Sequence, residues 1–114
     1  MKYGVWSLMA CGVFSLVQAA WAETYPAAGT GTSLLTIYST TDTAVFEGAI
    51  RHFQKLNPGI TVRYEELESN TLYEQFLADL QQGKPRADLL LSAAMDLQVK
   101  LVNDGYAATH ISAN

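Results

Sequence analysis

The chain has 114 residues, room for one small domain. Apolar residues make up 49% of it and charged residues 16%, which excludes a disordered tail and a coiled coil. Seven Lys/Arg against eleven Asp/Glu leave a net charge of −4 with no basic cluster, so neither a nucleic-acid backbone nor an anionic membrane surface is a fitting partner.

In chain order, the first element is a secretory signal peptide over residues 1–22. Lys2 supplies the cationic start, an apolar run extends from Val5 to Val17, and Ala20-Trp21-Ala22 has the small-x-small pattern that places cleavage after Ala22. The run falls short of the roughly 20 residues a transmembrane helix needs, and Gly12, Ser15 and Gln18 dilute it. No membrane insertion is expected once it is removed. Leu8-Met9-Ala10-Cys11, around the single cysteine, offers an alternative, lipoprotein-type processing site. Cleavage after Ala22 leaves 92 residues without cysteine and, with Lys2 gone, a charge of −5. Such an exported domain relies on its core rather than on disulfides. A bacterial periplasm is the expected destination.

Residues 23–33, ETYPAAGTGTS, are small and polar with Pro26, Gly29 and Gly31, and predict a flexible lead-in. A β-type run followed by a polar loop and an amphipathic helix then recurs three times. Leu34–Tyr38 precedes Ser39-Thr40-Thr41-Asp42, and Phe46, Ala49, Ile50, Phe53 and Leu56 line one face of a helix from Thr43 to Leu56. Asn57-Pro58-Gly59 stops it. Ile60–Tyr64 alternates as a half-wet strand. After the loop 65–70, Thr71 and Glu74 have capping-box spacing at the head of a second helix. Ala87–Leu91 reads as a central parallel strand buried on both faces. Met95–Asn103 is a third helix, well buried, with Gly105 as its stop. The sum is an α/β fold, parallel β-α-β-α-β-α with helices on the sheet faces. Ligands bind beyond the carboxyl ends of such strands, here Ser39–Asp42, Glu65–Asn70 and Ser92–Asp96. Three strands leave exposed sheet edges.

The stretches Tyr38-Ser39-Thr40-Thr41-Asp42, Asn57-Pro58-Gly59-Ile60, Gly83-Lys84-Pro85-x-Ala87-Asp88 and Ser92-Ala93-Ala94-Met95-Asp96-Leu97-Gln98, in this order and spacing, resemble the amino-terminal part of the solute-binding proteins of ABC importers. The resemblance is to the type II class grouped with ferric-iron-binding proteins and covers about Leu34–Ala107. It implies a partial periplasmic-binding-protein type II lobe over residues 34–114, with the second lobe absent. It also implies capture of a ferric-iron complex or a small anion such as a phosphate ester or phosphonate. The partners it implies are that ligand and a permease in the inner membrane, and it implies no cofactor. Where some iron-binding members place a histidine after the first strand, this sequence has Ser39-Thr40-Thr41-Asp42. A fragment or small interaction module from a truncated reading frame, and a ligand sensor feeding a membrane kinase, are the alternative readings.

The candidate ligand-binding residues are Ser39, Thr40, Thr41, Ser92, Ala93 and Asn70. Ser39, Thr40 and Thr41 stand at a strand-to-helix turn, where N–H groups and the positive helix end favour an anion, although the same residue types serve as N-caps. Ser92, with the N–H groups of Ala93 and Ala94, repeats that arrangement. Asn70 lines the cleft or caps a helix. Glu65, Glu66 and Glu68 alternate along an extended segment and read as a solvated acidic edge rather than metal ligands. Lys84 and Arg86 read as solubilising charges, and His52 and His110 stand alone. With no nucleophile elbow, phosphate-binding glycine loop or paired histidines, no enzyme and no metal site is expected.

Overall fold

The computed structural model describes residues 21–113. The expected signal peptide lies outside them apart from Trp21 and Ala22, and so does Cys11. The elements are β1 (Trp21–Tyr25), β2 (Ser33–Ser39), α1 (Thr43–Leu56), β3 (Ile60–Glu66), α2 (Ser69–Gln81), β4 (Leu89–Leu91) and α3 (Met95–Asn103). They build one four-stranded sheet in the order β1-β3-β2-β4. Strand β2 runs parallel to both β3 and β4, whereas β1 is antiparallel to β3. The parallel β-α-β-α-β-α unit is therefore present, with one strand added in front of it.

Alternation along β2 separates two faces. Ile37 points toward α1 and joins Tyr25, Val62, Tyr64 and Ile50 in the core, with Phe46 and Phe53 packed against them. The rings of Phe46 and Tyr64 stack with centroids 5.4 Å apart. Tyr38, the next residue, is fully buried on the other face, where its hydroxyl donates to Asp79 Oδ2 of α2 at 2.5 Å. The two helices lie on opposite faces, as right-handed crossovers running in opposite directions, β2 to β3 and then β3 back across β2 to β4, require.

Four sequence expectations are corrected. Residues 23–33 are not a loose lead-in, for the first three belong to β1. Tyr25 is buried, and Gln54 Nε2 donates to the carbonyls of Tyr25 (2.9 Å) and Pro26 (3.1 Å). Further along, Ala27 N–H donates to Thr61 Oγ1 and Gly29 N–H to the Pro58 carbonyl. Gly31 passes so near Gly59 that a Cβ there would sit 2.2 Å from the Gly59 oxygen, so only glycine allows this approach. The third parallel strand is an edge of three residues, not a central strand, and Leu89 is 46% exposed. Helix α3 is not well buried. Only Leu101 is, and Met95, Val99 and Val102 are exposed, since β4 is the last strand on that side of the described sheet. Leu56, expected on the apolar face of α1, is exposed at the end of the helix.

Candidate functional site

All three parallel strands end at one edge of the sheet. The connection leaving β2 runs through α1 to β3 on one side, and the one leaving β3 crosses back over β2 through α2 to β4 on the other, so the strand order reverses at β2, beside the crevice between β2 and β4. Two backbone bonds carry the ladder past the strands: Thr40 N–H donates to the Leu91 carbonyl at 3.0 Å and Leu67 N–H to the Ser39 carbonyl at 2.8 Å. They draw the turns after β2, β3 and β4 together.

Thr40 is the residue these turns share. Its Oγ1 accepts from Ala93 N–H at 3.2 Å, which ties the turn before α1 to the turn before α3. On its other side Thr40 lines an open depression of about 540 Å3 with Glu66, Leu67, Glu68, Ser69 and Asn70. The structure thus brings Thr40, Asn70, Ser92 and Ala93 to one edge. Asn70 is exposed in the first turn of α2, which begins two residues before the expected capping box. Ser92 Oγ accepts from Ala94 N–H at 3.1 Å, and Ala93 is exposed. Ser39 faces inward, and Thr41, half-exposed, is held through its main chain. Ser39 has no exposed surface, and its Oγ accepts from Thr41 N–H at 3.0 Å. The Thr41 carbonyl accepts from the Tyr64 hydroxyl at 2.6 Å, and burial pushes that phenol above its ordinary pKa.

Glu66 is the residue the sequence reading missed. Its Oε2 accepts from both the N–H (2.9 Å) and the hydroxyl (2.8 Å) of Thr43, the first residue of α1. A carboxylate from β3 therefore stands at the positive end of α1, the place where an external anion was expected. These bonds, the backbone N–H foremost, hold its carboxyl below the usual range. Asp42, the residue preceding the helix, makes no capping bond with its side chain. The lining consequently offers hydroxyl, amide and carboxylate groups and no Lys or Arg, while the N–H groups of residues 40, 41, 43, 93 and 94 are engaged within the chain. Among the described residues no three of His, Cys, Asp and Glu gather as a metal centre.

Glu65 holds the depression from behind. It is buried, and Arg86 Nη2 donates to both of its oxygens at 3.1 Å. Arg63 Nη2 approaches the same carboxylate at 3.4 Å. The Arg86 guanidinium also lies over the Tyr38 ring, 5.9 Å from its centroid. Arg86 is thus an anchor for the end of β3 rather than a solubilising charge. Asp88, from the same loop, exchanges two bonds with the Thr36 backbone, N–H to carbonyl at 2.8 Å and Oδ2 from N–H at 2.9 Å.

A family model described as bacterial extracellular solute-binding protein matches residues 33–112. The chain belongs to that family. Among solved structures it is similar to the substrate binding protein of an ABC transporter from Agrobacterium tumefaciens, with 40% identity over 82% of this chain and a TM-score of 0.77. The chain spans 28% of that relative's length. A search of curated proteins finds no match. In this solute-binding family member, the fold described above corresponds to part of one periplasmic-binding-protein lobe. Its loop after α2, Gly83–Asp88, carries part of the sequence resemblance, and within it Asp88 and the neighbouring Arg86 fasten the loop to the sheet.

Proposed function

We propose that this chain supplies one wall of a solute-capture protein serving an ABC importer, with an inner-membrane permease as its partner. The observation that carries this reading is the convergence of Thr40, Asn70, Ser92 and Ala93 at the strand-order reversal of a solute-binding lobe. Residues 34–114 then form part of the first lobe, and the leader over residues 1–22 directs the chain to the periplasm. The wall binds and orients a solute; nothing in its chemistry calls for catalysis.

Of the two ligand classes the sequence suggests, the lining favours a ferric-iron complex over a bare phosphate ester or phosphonate. The N–H groups suited to an anion are engaged, and Glu66 already stands at the α1 N-terminus. Glu66 and Glu68 instead favour a ligand with a positive centre. The test is thermal unfolding of the chain with ferric citrate, citrate alone and inorganic phosphate. A shift with ferric citrate alone supports the reading, and a ligand at a hundred times its Kd stabilises by about 2.7 kcal/mol. A larger shift with phosphate overturns the ligand class, and no shift with any of them overturns binding by this chain.

A further inference from the structure

The bond Ala22–Glu23, at which the leader is expected to be cut, lies inside β1. We propose that β1 hides the chain's own processing bond, so that folding and leader removal compete and cleavage is confined to chains in which β1 has not yet paired with β3. This rests on the leader reading above.

The register places Ala22 opposite Glu65 and Glu23 opposite Tyr64. Both partners are fixed, Glu65 by Arg86 and Tyr64 by its bond to the Thr41 carbonyl and its stack with Phe46. A peptidase needs its substrate extended and free for several residues on both sides of the bond. Here the downstream side is tied repeatedly: Tyr25 is in the core, Gln54 holds the carbonyls of Tyr25 and Pro26, Ala27 bonds Thr61, and Gly29 bonds Pro58. Presenting the bond therefore means unpairing β1 from β3 around Glu23, which the anchored stretch from Tyr25 to Gly29 opposes, and not merely fraying the exposed Trp21 end.

In the reaction one water is consumed. The Ala22 carbonyl carbon loses its bond to the Glu23 nitrogen, a carboxylate forms on Ala22 and a protonated α-amine on Glu23. The pairs Glu23↔Tyr64, Thr24↔Arg63 and Tyr25↔Val62 remain available to the cut chain. Its new ammonium falls in the strand next to the acidic pair Glu65 and Glu66, which favours docking of the processed strand.

The experiment incubates the full 114-residue chain, folded, with a bacterial leader peptidase in detergent, beside an unstructured peptide of residues 13–27. The rate at which the Glu23 N-terminus appears is read by mass spectrometry. The peptide should be cut after Ala22 and the folded chain on the order of tenfold more slowly, the effect of two or so backbone bonds that must open first. Gln54→Ala, checked for folding by circular dichroism, should narrow the gap. Amide exchange on the unsubstituted chain gives an independent reading: β1 is an edge strand, so the alternate amides among residues 23–25 that face β3 are expected to be protected. Equal cutting of peptide and folded chain, or no protected amide among residues 23–25, overturns the occlusion and leaves the leader reading intact. A peptide left uncut, or cut elsewhere, overturns the leader assignment and the proposal with it.

Discussion

The two faces of one sheet are held by different chemistry. Toward α1, the side chains of Ile37, Val62 and Tyr64 meet Ile50, Phe46 and Phe53 in an apolar layer. Toward α2, the alternate residues of the same strands meet the helix and its loop through polar partners, Tyr38 with Asp79 and Glu65 with Arg86, while Asp88 of that loop is tied to the Thr36 main chain. The α1 side gains stability from area removed from water and tolerates no loss of volume. On the α2 side the position of each partner is set by hydrogen bonds, and the cost comes when one member is left alone. The polar face also sits directly behind the depression, since Glu65 precedes Glu66 in β3.

The contrast breaks most readily on the apolar side. Ile50→Ala removes a buried side chain from the centre of that layer and should cost about 3 kcal/mol. In a domain this small that loss should abolish the cooperative urea transition. A midpoint shift no larger than that of an exposed control such as Val45→Ala would show that α1 is not the principal support.

On the polar side Asp79→Ala leaves the Tyr38 hydroxyl, deeply buried, without its acceptor, and should cost about 1–3 kcal/mol. Asp79→Asn, which keeps an acceptor oxygen, should recover part of that. Burial, reinforced by the bond to Asp79, pushes the Tyr38 phenol well above its ordinary value of 10.0. In spectrophotometric titration Tyr38 should therefore ionise only with alkaline unfolding, and a phenol titrating near 10 in the folded chain would contradict the buried pair.

The smallest effect belongs to Glu66. Its folded pKa is depressed below 4.5 by Thr43, so its contribution is fully present above the unfolded value and is lost as pH falls through the folded one. Melting temperature should decline from about pH 5 downward. Glu66→Gln should be less stable than the parent at pH 7, and the gap should narrow as the pH falls from about 5 toward 3. Parallel melting curves from pH 7 to pH 3 would show that the carboxylate does not cap α1.

Periodicity made the α1 side legible: Phe46, Ile50 and Phe53 recur at helical spacing, and the runs that became β2 and β3 are apolar enough to be read as strands. The polar side was not legible, because its pairs are joined across long sequence separations. Tyr38 and Asp79 are 41 residues apart, and Arg86 meets Glu65 across 21. An acid among acids, as in Glu65-Glu66-Leu67-Glu68, reads as solvated until the partner is placed. Strand β1 was hidden for another reason. Its first four side chains are exposed and only Tyr25 is buried, so neither alternation nor an apolar run marks it. At the site, the rule that ligands meet the carboxyl ends of parallel strands points to three turns, and the structure places Thr40, Asn70, Ser92 and Ala93 in them at one edge of the sheet. The rule gave no sign that Glu66 would stand at the head of α1 or that Ser39 would turn fully inward.

Thr40 has one more consequence. Its N–H is fastened to Leu91 and its hydroxyl to Ala93, so the rim between β2 and β4 is stitched before any solute arrives. A surface set in this way loses little freedom when it is touched, and the entropy of arranging it has been spent in folding. In the capture protein proposed above, this rim would be the fixed jaw of a vice: it holds its shape, and whatever closed against it would have to supply the travel.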